Sequence, residues 1–287
     1  MSLLSSPTFP LQRRSFLGFL AASTFFKPFA TAEAAPKPLR GKYLESLTWK
    51  EAETVLTQAD VVVIPLGAQL KEHGLHLPLN NDWHIAEYLT RRLLEKLPVP
   101  AVPTVQFNFY PAFVEYPGSV HISRDTSRDL IADICRSIAR HGPKKLYVLN
   151  TGISTNRALE PARQLLAKEG ITMEYTDLST AAPEARAKVR TQEAGTHADE
   201  IETSMMLYMA PKIVRMAKAA KDIHPDKGPG GLTRDANATT GVYSPTGAWG
   251  DPTRATREKG RIVVEAMVEH IVASVKKLGA KDFVPGP

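Results

Sequence analysis

Six consecutive residues, Val61-Val62-Val63-Ile64-Pro65-Leu66, constrain the fold of this 287-residue chain more than any other stretch. A run that is apolar at every position has no solvent face. As a strand it must be covered on both sides, which is the condition of a parallel sheet flanked by helices. Pro98–Val105, Lys145–Leu149 and Ile171–Tyr175 read as further strands. Between them lie helical patterns at Asp82–Leu97, with Ile85, Leu89, Leu93 and Leu94 along one side, at Asp125–Arg140 and at Asn156–Lys168. Thr48–Leu56 also reads as helix. Two more helices are predicted, one from Gly195-Thr196 to about Met209 and a long one from near Thr253 to near Lys277. Strands alternating with helices imply βαβ units. The expected fold is α/β, a three-layer sandwich around a mostly parallel sheet.

The first residues read as an address. Gln12-Arg13-Arg14-Ser15-Phe16-Leu17-Gly18 is a twin-arginine pattern, followed by an apolar stretch to Phe26 and the small-residue site Ala32-Glu33-Ala34. The apolar stretch is too short to span a bilayer, and Lys27 interrupts it. Residues 1–35 are therefore expected to be a twin-arginine signal and 36–287 one large domain, periplasmic or secreted, with no membrane anchor after processing. An uncleaved anchor or a disordered tail is the alternative. Cys135 is the only cysteine, which excludes an internal disulfide and a cysteine-rich zinc site. The net charge of +6 is scattered and not interleaved with aromatics, so nucleic-acid binding is not expected.

The chemistry concentrates behind the first strand. Glu72, His73, His76 and Asp82 fall within eleven residues, in a loop leaving a strand end, where α/β proteins collect ligands. His with carboxylate suits zinc, manganese or iron. Asp82 can be a ligand or the N-cap of the next helix, a role open equally to Asn81. His76 and His84 read as packed or supporting imidazoles. A second cluster is Thr196-His197-Ala198-Asp199-Glu200-Ile201-Glu202. Thr196 with Asp199 resembles a capping box that would start a helix there. Glu202 then shares the apolar face of Met205, Met206 and Met209, so it needs a cation: a metal ion, or an arginine in a buried salt bridge. Asn150–Asn156, after the Lys145–Leu149 strand, is either an anion-binding loop or an ordinary turn. Tyr110–Ser119 and Gly241–Pro252 read as pocket walls.

Taken together, these segments resemble the creatininase (creatinine amidohydrolase) family. Its P-x-G-S-x-E-x-H-G-x-H-L-P-x-x-x-D segment corresponds to Pro65–Asp82. Its H-A-x-x-x-E-T-S motif corresponds to His197, Ala198, Glu202, Thr203 and Ser204, and its G-D-P-x-x-A-T-x-x-K-G ending to Gly250–Gly260. The resemblance implies a homo-oligomer with a divalent metal centre, often binuclear, that hydrolyses a C–N bond of a small or cyclic amide. It implies that Asp82 corresponds to a metal-bridging carboxylate, His73 to a ligand and His197 to a proton carrier. Two positions depart from the pattern. Lys71 stands where the family has a metal-binding Glu, leaving Glu72 to reach the site through a bulge. In Asn150–Asn156, Ile153 or a neighbour replaces the histidine of N-G-H-G-G-N.

The expected function is a metal-dependent amidohydrolase working through a metal-activated water. Its ligands are His73, Asp82, Glu202 and, as a fourth, Glu72. His197 is the catalytic proton carrier, with Glu72 also a catalytic candidate. One zinc, manganese or iron ion per chain is expected, with two as the alternative. The rival is a periplasmic small-molecule-binding pseudoenzyme on the same scaffold, its metal centre decayed.

Overall fold

A computed structural model describes residues 37–224 and 231–284; the twin-arginine pattern lies outside them. Five strands form one parallel sheet: β1 (Lys42–Tyr43), β2 (Val62–Leu66), β3 (Pro100–Ala101), β4 (Lys145–Asn150) and β5 (Thr172–Tyr175), in the order β1-β3-β2-β4-β5. The helices are α1 (Trp49–Gln58), α2 (Asn81–Lys96), α3 (Arg124–Ala139), α4 (Asn156–Ala167), α5 (Pro183–Val189), α6 (Glu200–Met209) and α7 (Arg257–Gly279). Among the described residues, no helix is long and apolar enough to cross a membrane.

The all-apolar strands do what their composition requires. Val62, Ile64 and Leu66 with Leu146 and Val148 pack on Leu56 of α1, Ile131 and Cys135 of α3, and Leu159 of α4. Val63, Tyr147 and Leu149 face the other way, onto Ile85 and Leu89 of α2, Met206 of α6 and Val264 and Met267 of α7. The architecture is thus the expected three-layer α/β sandwich. Burial pushes the Cys135 thiol up to about 12, so it is inert packing material.

Pro65 sits in the central strand without breaking the sheet. The carbonyls of Val63 and Pro65 accept from Val102 and Val105, so the missing Pro65 N–H faces the short β3 edge. The β2–β4 register runs intact from Val62↔Leu146 to Leu66↔Asn150. From β2 the chain crosses by α2 to one neighbour, and then by α3 on the opposite face to the other. The crevice between the carboxyl ends of β2 and β4 is therefore the switch point of the sheet, where such folds place their ligands.

Three boundaries and four short elements, β1 among them, differ from the sequence reading. Thr196 and Asp199 form no capping box; Asp199 alone caps α6, accepting from the Ile201 and Glu202 amides at 3.0 and 2.9 Å. Thr196 and His197 are extended, bridged to Trp249. The last helix starts at Arg257 because Thr256 caps it, while Asp251 caps a separate short turn at Pro252–Arg254. The expected strand Pro98–Val105 shrinks to β3 and an isolated bridge from Val105 to Leu66. Helix α5 and a small parallel pair, β6 (Leu232–Thr233) and β7 (Val242–Tyr243), carried no periodic signal.

Candidate metal centre

The loop leaving β2 folds back over the switch point, and backbone bonds fix it there. Gln69 N–H donates to Gln106 O at 2.9 Å, Lys71 N–H to Leu79 O at 3.0 Å and Val120 N–H to Leu70 O at 2.9 Å. These bonds bring Lys71, Glu72 and His73 above the first turn of α2. Asp82 is not the helix cap: Asn80 holds that position, with no side-chain capping bond. The Asp82 carboxylate is instead turned inward. Its Oδ1 lies 2.9 Å from His73 Nε2, and its Oδ2 accepts from Lys71 Nζ at 2.6 Å. Asp82 is 2% exposed, and His73 1%.

Glu202 enters from α6. Its Oε1 accepts from Asn81 at 2.9 Å and lies 3.5 Å from His73 Nε2; its Oε2 accepts from the Ala198 amide at 2.7 Å. Ala198 reaches that position through a left-handed φ of 46°, a strained conformation for alanine. No arginine pairs with Glu202 among the described residues, so the buried salt bridge to an arginine is not formed. His197 Nε2 faces the Glu72 carboxylate and carbonyl, both at 3.0 Å. Its Nδ1 faces Glu202 Oε2 at 3.9 Å.

The two imidazoles share one logic. His73 Nδ1 is 2.8 Å from the Lys71 carbonyl, which can only accept, so Nδ1 carries the hydrogen. Nε2 is left for whatever lies between Asp82 and Glu202. His197 has its Nε2 held by Glu72 and its Nδ1 aimed inward. Carbonyl or carboxylate on one nitrogen, with the second turned towards further ligand atoms, is the arrangement of metal-ligating histidines. Ligand atoms of His73, His197 and Glu202 lie within 4.8 Å of one another, a donor set that fits one divalent ion. Of the residues expected to bind metal, His73 and Glu202 fall in this group. Asp82 touches it through His73, and Glu72 is turned to His197 and the Gly74 amide. His197, expected to carry protons, is itself within ligand reach.

The charges of the centre act directly on one another. Burial pushes the Asp82 carboxyl up, but Lys71 and His73 outweigh it and hold the group well below the usual range. Burial likewise opposes ionisation of Glu202, and His73 and His197 bring it down. Burial pushes His73 down, yet Asp82 beside it leaves the imidazole raised. His76 is the exception. Its Nε2 meets Thr203 Oγ1 at 2.7 Å, and burial lowers it to about 4.

A histidine depressed on folding binds fewer protons in the native state than unfolded, between pH 6.5 and about 4. Its contribution, on the order of 3 kcal/mol, is present above pH 6.5 and lost as pH falls towards 4. His76→Gln is expected to flatten that part of the stability curve, read as urea midpoints across pH. An unchanged slope would show that His76 is not held neutral.

The two predicted pocket walls form a cover. Phe113 stacks on the His197 ring, centroids 4.1 Å apart, and the Lys71 ammonium lies 5.0 Å over the same Phe113 ring. Tyr116 Oη donates to Ser244 O at 2.8 Å, tying the walls together. Gly247, at φ 77°, lies against the Glu72 carboxylate where a Cβ would collide. Of the Asn150–Asn156 segment, Asn150 and Thr151 line the small cavity beside Lys71 and Asp82. Asn150 Nδ2 donates to Gly152 O and Asn156 Oδ1, and Ile153 is exposed and brings nothing to the centre. Sequence reasoning missed Lys71 as a member of the site and did not single out Phe113 within the Tyr110–Ser119 wall. The signal for Lys71 was a lone cation between a buried strand and a His-carboxylate run.

The family model described as creatinine amidohydrolase matches residues 45–275. The creatinine amidohydrolase of Pseudomonas putida is 24% identical over 259 residues, covering 82% of this chain and 96% of that protein. The mycofactocin precursor peptide peptidase of Mycobacterium tuberculosis (strain ATCC 25618 / H37Rv) is 28% identical over 228 residues, covering 75% and 84%. A creatininase variant solved in a Zn–Zn form matches with a TM-score of 0.70 at 22% identity, over 85% of this chain and 98% of that one. With fold, motif order and a family model extending over most of its length in agreement, this chain belongs to the creatininase (creatinine amidohydrolase) family.

Proposed function

We propose that the protein is an exported hydrolase that cleaves the C–N bond of a small or cyclic amide with one divalent ion. The observation that carries this reading is the matched pair of histidines. Each is pinned at one nitrogen by an acceptor, and each turns the other nitrogen towards Glu202. His73 and Glu202 would hold the ion with the Oδ1 side of Asp82, and His197, also within ligand reach, is assigned to the proton instead. Bound there, it supplies charge that polarises an amide carbonyl and acidifies water. His197 is the group free to move a proton. Glu72 fixes its Nε2, so Nδ1 would take the proton that the attacking water gives up and deliver it to the leaving nitrogen. Phe113 shields that imidazole from bulk water.

Relatives are named for both a cyclic amide and a peptide. Lys71, Glu72, His73, Asp82 and His197 are all buried beneath the aromatic cover, and such an enclosed site suits a small amide better than an extended chain. Export is proposed on the twin-arginine pattern at Gln12–Gly18. A second reading, a binding protein without turnover, is favoured by one observation: Lys71 already neutralises Asp82.

Elemental analysis of protein purified without chelators separates the two readings. About one ion per chain, lost in a His73→Ala/Glu202→Ala variant, together with hydrolysis of cyclic amides, is the expected result. Metal-free protein that binds such amides unchanged would establish the second reading instead.

A further inference from the structure

Asp82 divides the centre into two unlike halves. On its Oδ1 side stand His73, Glu202 and His197. On its Oδ2 side stands the ammonium of Lys71, at 2.6 Å. The small cavity there is lined by Asn108, Tyr110, Asn150 and Thr151, none of them charged. Among the described residues no carboxylate other than Asp82 pairs with Lys71. The Asn108 Nδ2, a donor with no partner, is buried in the same wall. A carboxylate with cation-seeking groups on one oxygen and a fixed cation on the other is a bridge with one end already filled.

We propose that the Lys71 ammonium is the second cation of this centre: it takes the place beside Asp82 Oδ2 that a second divalent ion would need, and so limits the site to one ion. This rests on the one-ion reading above. The charge arithmetic supports it. A glutamate at position 71 together with a divalent ion carries a net +1, and a lysine alone carries the same charge. The surroundings of Asp82 are therefore electrostatically equivalent in the two cases, and the polar but uncharged wall requires no further change. Repulsion from the ammonium, in a site where screening by water is weak, excludes a second ion from the adjoining space.

The test compares wild type, Lys71→Glu and Lys71→Gln loaded with Mn²⁺, reading metal content and the electron paramagnetic resonance spectrum. Wild type is expected to hold about one ion per chain and give an isolated-ion spectrum. Lys71→Glu is expected to double the content and give an exchange-coupled spectrum, as two-metal sites with a spacing of about 3.5–4 Å do. Lys71→Gln removes the ammonium without adding a ligand and is expected to bind the second ion more weakly. Should Lys71→Glu fold poorly, recovery by added Mn²⁺ supports the proposal, and Lys71→Gln carries the stoichiometry. Two ions in wild type, or one in all three proteins, would overturn it while leaving the metal centre standing. No ion in wild type but one in Lys71→Glu would uphold the role of Lys71 and sink the one-ion reading. No ion in any of them would sink both.

Discussion

Replacing Asp82 with alanine is expected to cost the fold about 3–5 kcal/mol, more than any other single substitution in the centre. The loss comes from what is left behind rather than from the carboxylate itself. Lys71, 6% exposed, would lose the one carboxylate that pairs with it among the described residues, and His73, 1% exposed, would keep only Glu202 at 3.5 Å. Water cannot reach them to compensate, so the ammonium must lose its proton or force the loop open. Urea denaturation reads this directly. Lys71→Met/Asp82→Leu should regain most of the loss, since a well-packed apolar pair is often as stable as the ion pair it replaces. Should Asp82→Ala fall within about 0.5 kcal/mol of wild type, the pair is solvated in solution and its burial is not an energetic fact.

His197→Ala is expected to lower kcat by about 10²–10⁴-fold while leaving the fold and the bound ion in place. His197 stands before the first turn of α6, with its Nε2 committed to Glu72 and its ring covered by Phe113. Alanine removes the mobile proton and leaves His73, Asp82 and Glu202 untouched. Glu72→Gln should give a smaller loss, because the amide still contacts Nε2 but no longer places a negative charge beside it. The readouts are turnover of a cyclic amide and metal content on the same preparations. If His197→Ala loses ion and turnover together, His197 is a ligand and the proton carrier lies elsewhere.

Much of the architecture was legible because burial leaves periodic marks. An apolar run with no polar face, such as Val61–Leu66, admits few folds, and α2, with Ile85, Leu89 and Leu93 on one side, shows its buried face openly. Helix starts were less legible. Thr196 and Asp199 both suit a cap, and only the extended bridge to Trp249 decides for Asp199. Asp82 looked like a cap for the same reason, yet a nearby cation and imidazole draw its carboxylate inward. The gathering of Glu72, His73, Asp82, His197 and Glu202 around one point was within reach of motif order. Their pairing was not. Whether Glu72 turns to the ion position or to His197 depends on the bend at Gly74 and the close approach of Gly247, which no spacing rule encodes. The small elements α5, β6 and β7 are too short to carry a period at all.

The Lys71–Asp82 pair also bears on the order of events in making the protein. A centre built wholly of buried acids and imidazoles reaches its native charge balance only when metal arrives, so maturation waits on ion supply. Here one of the required positive charges is encoded in the chain and arrives with synthesis. The fold around β2 and α2 can therefore close before any ion is captured, and capture becomes a later, separable step. If the chain is exported as proposed, folding competence and metal loading need not occur in the same compartment.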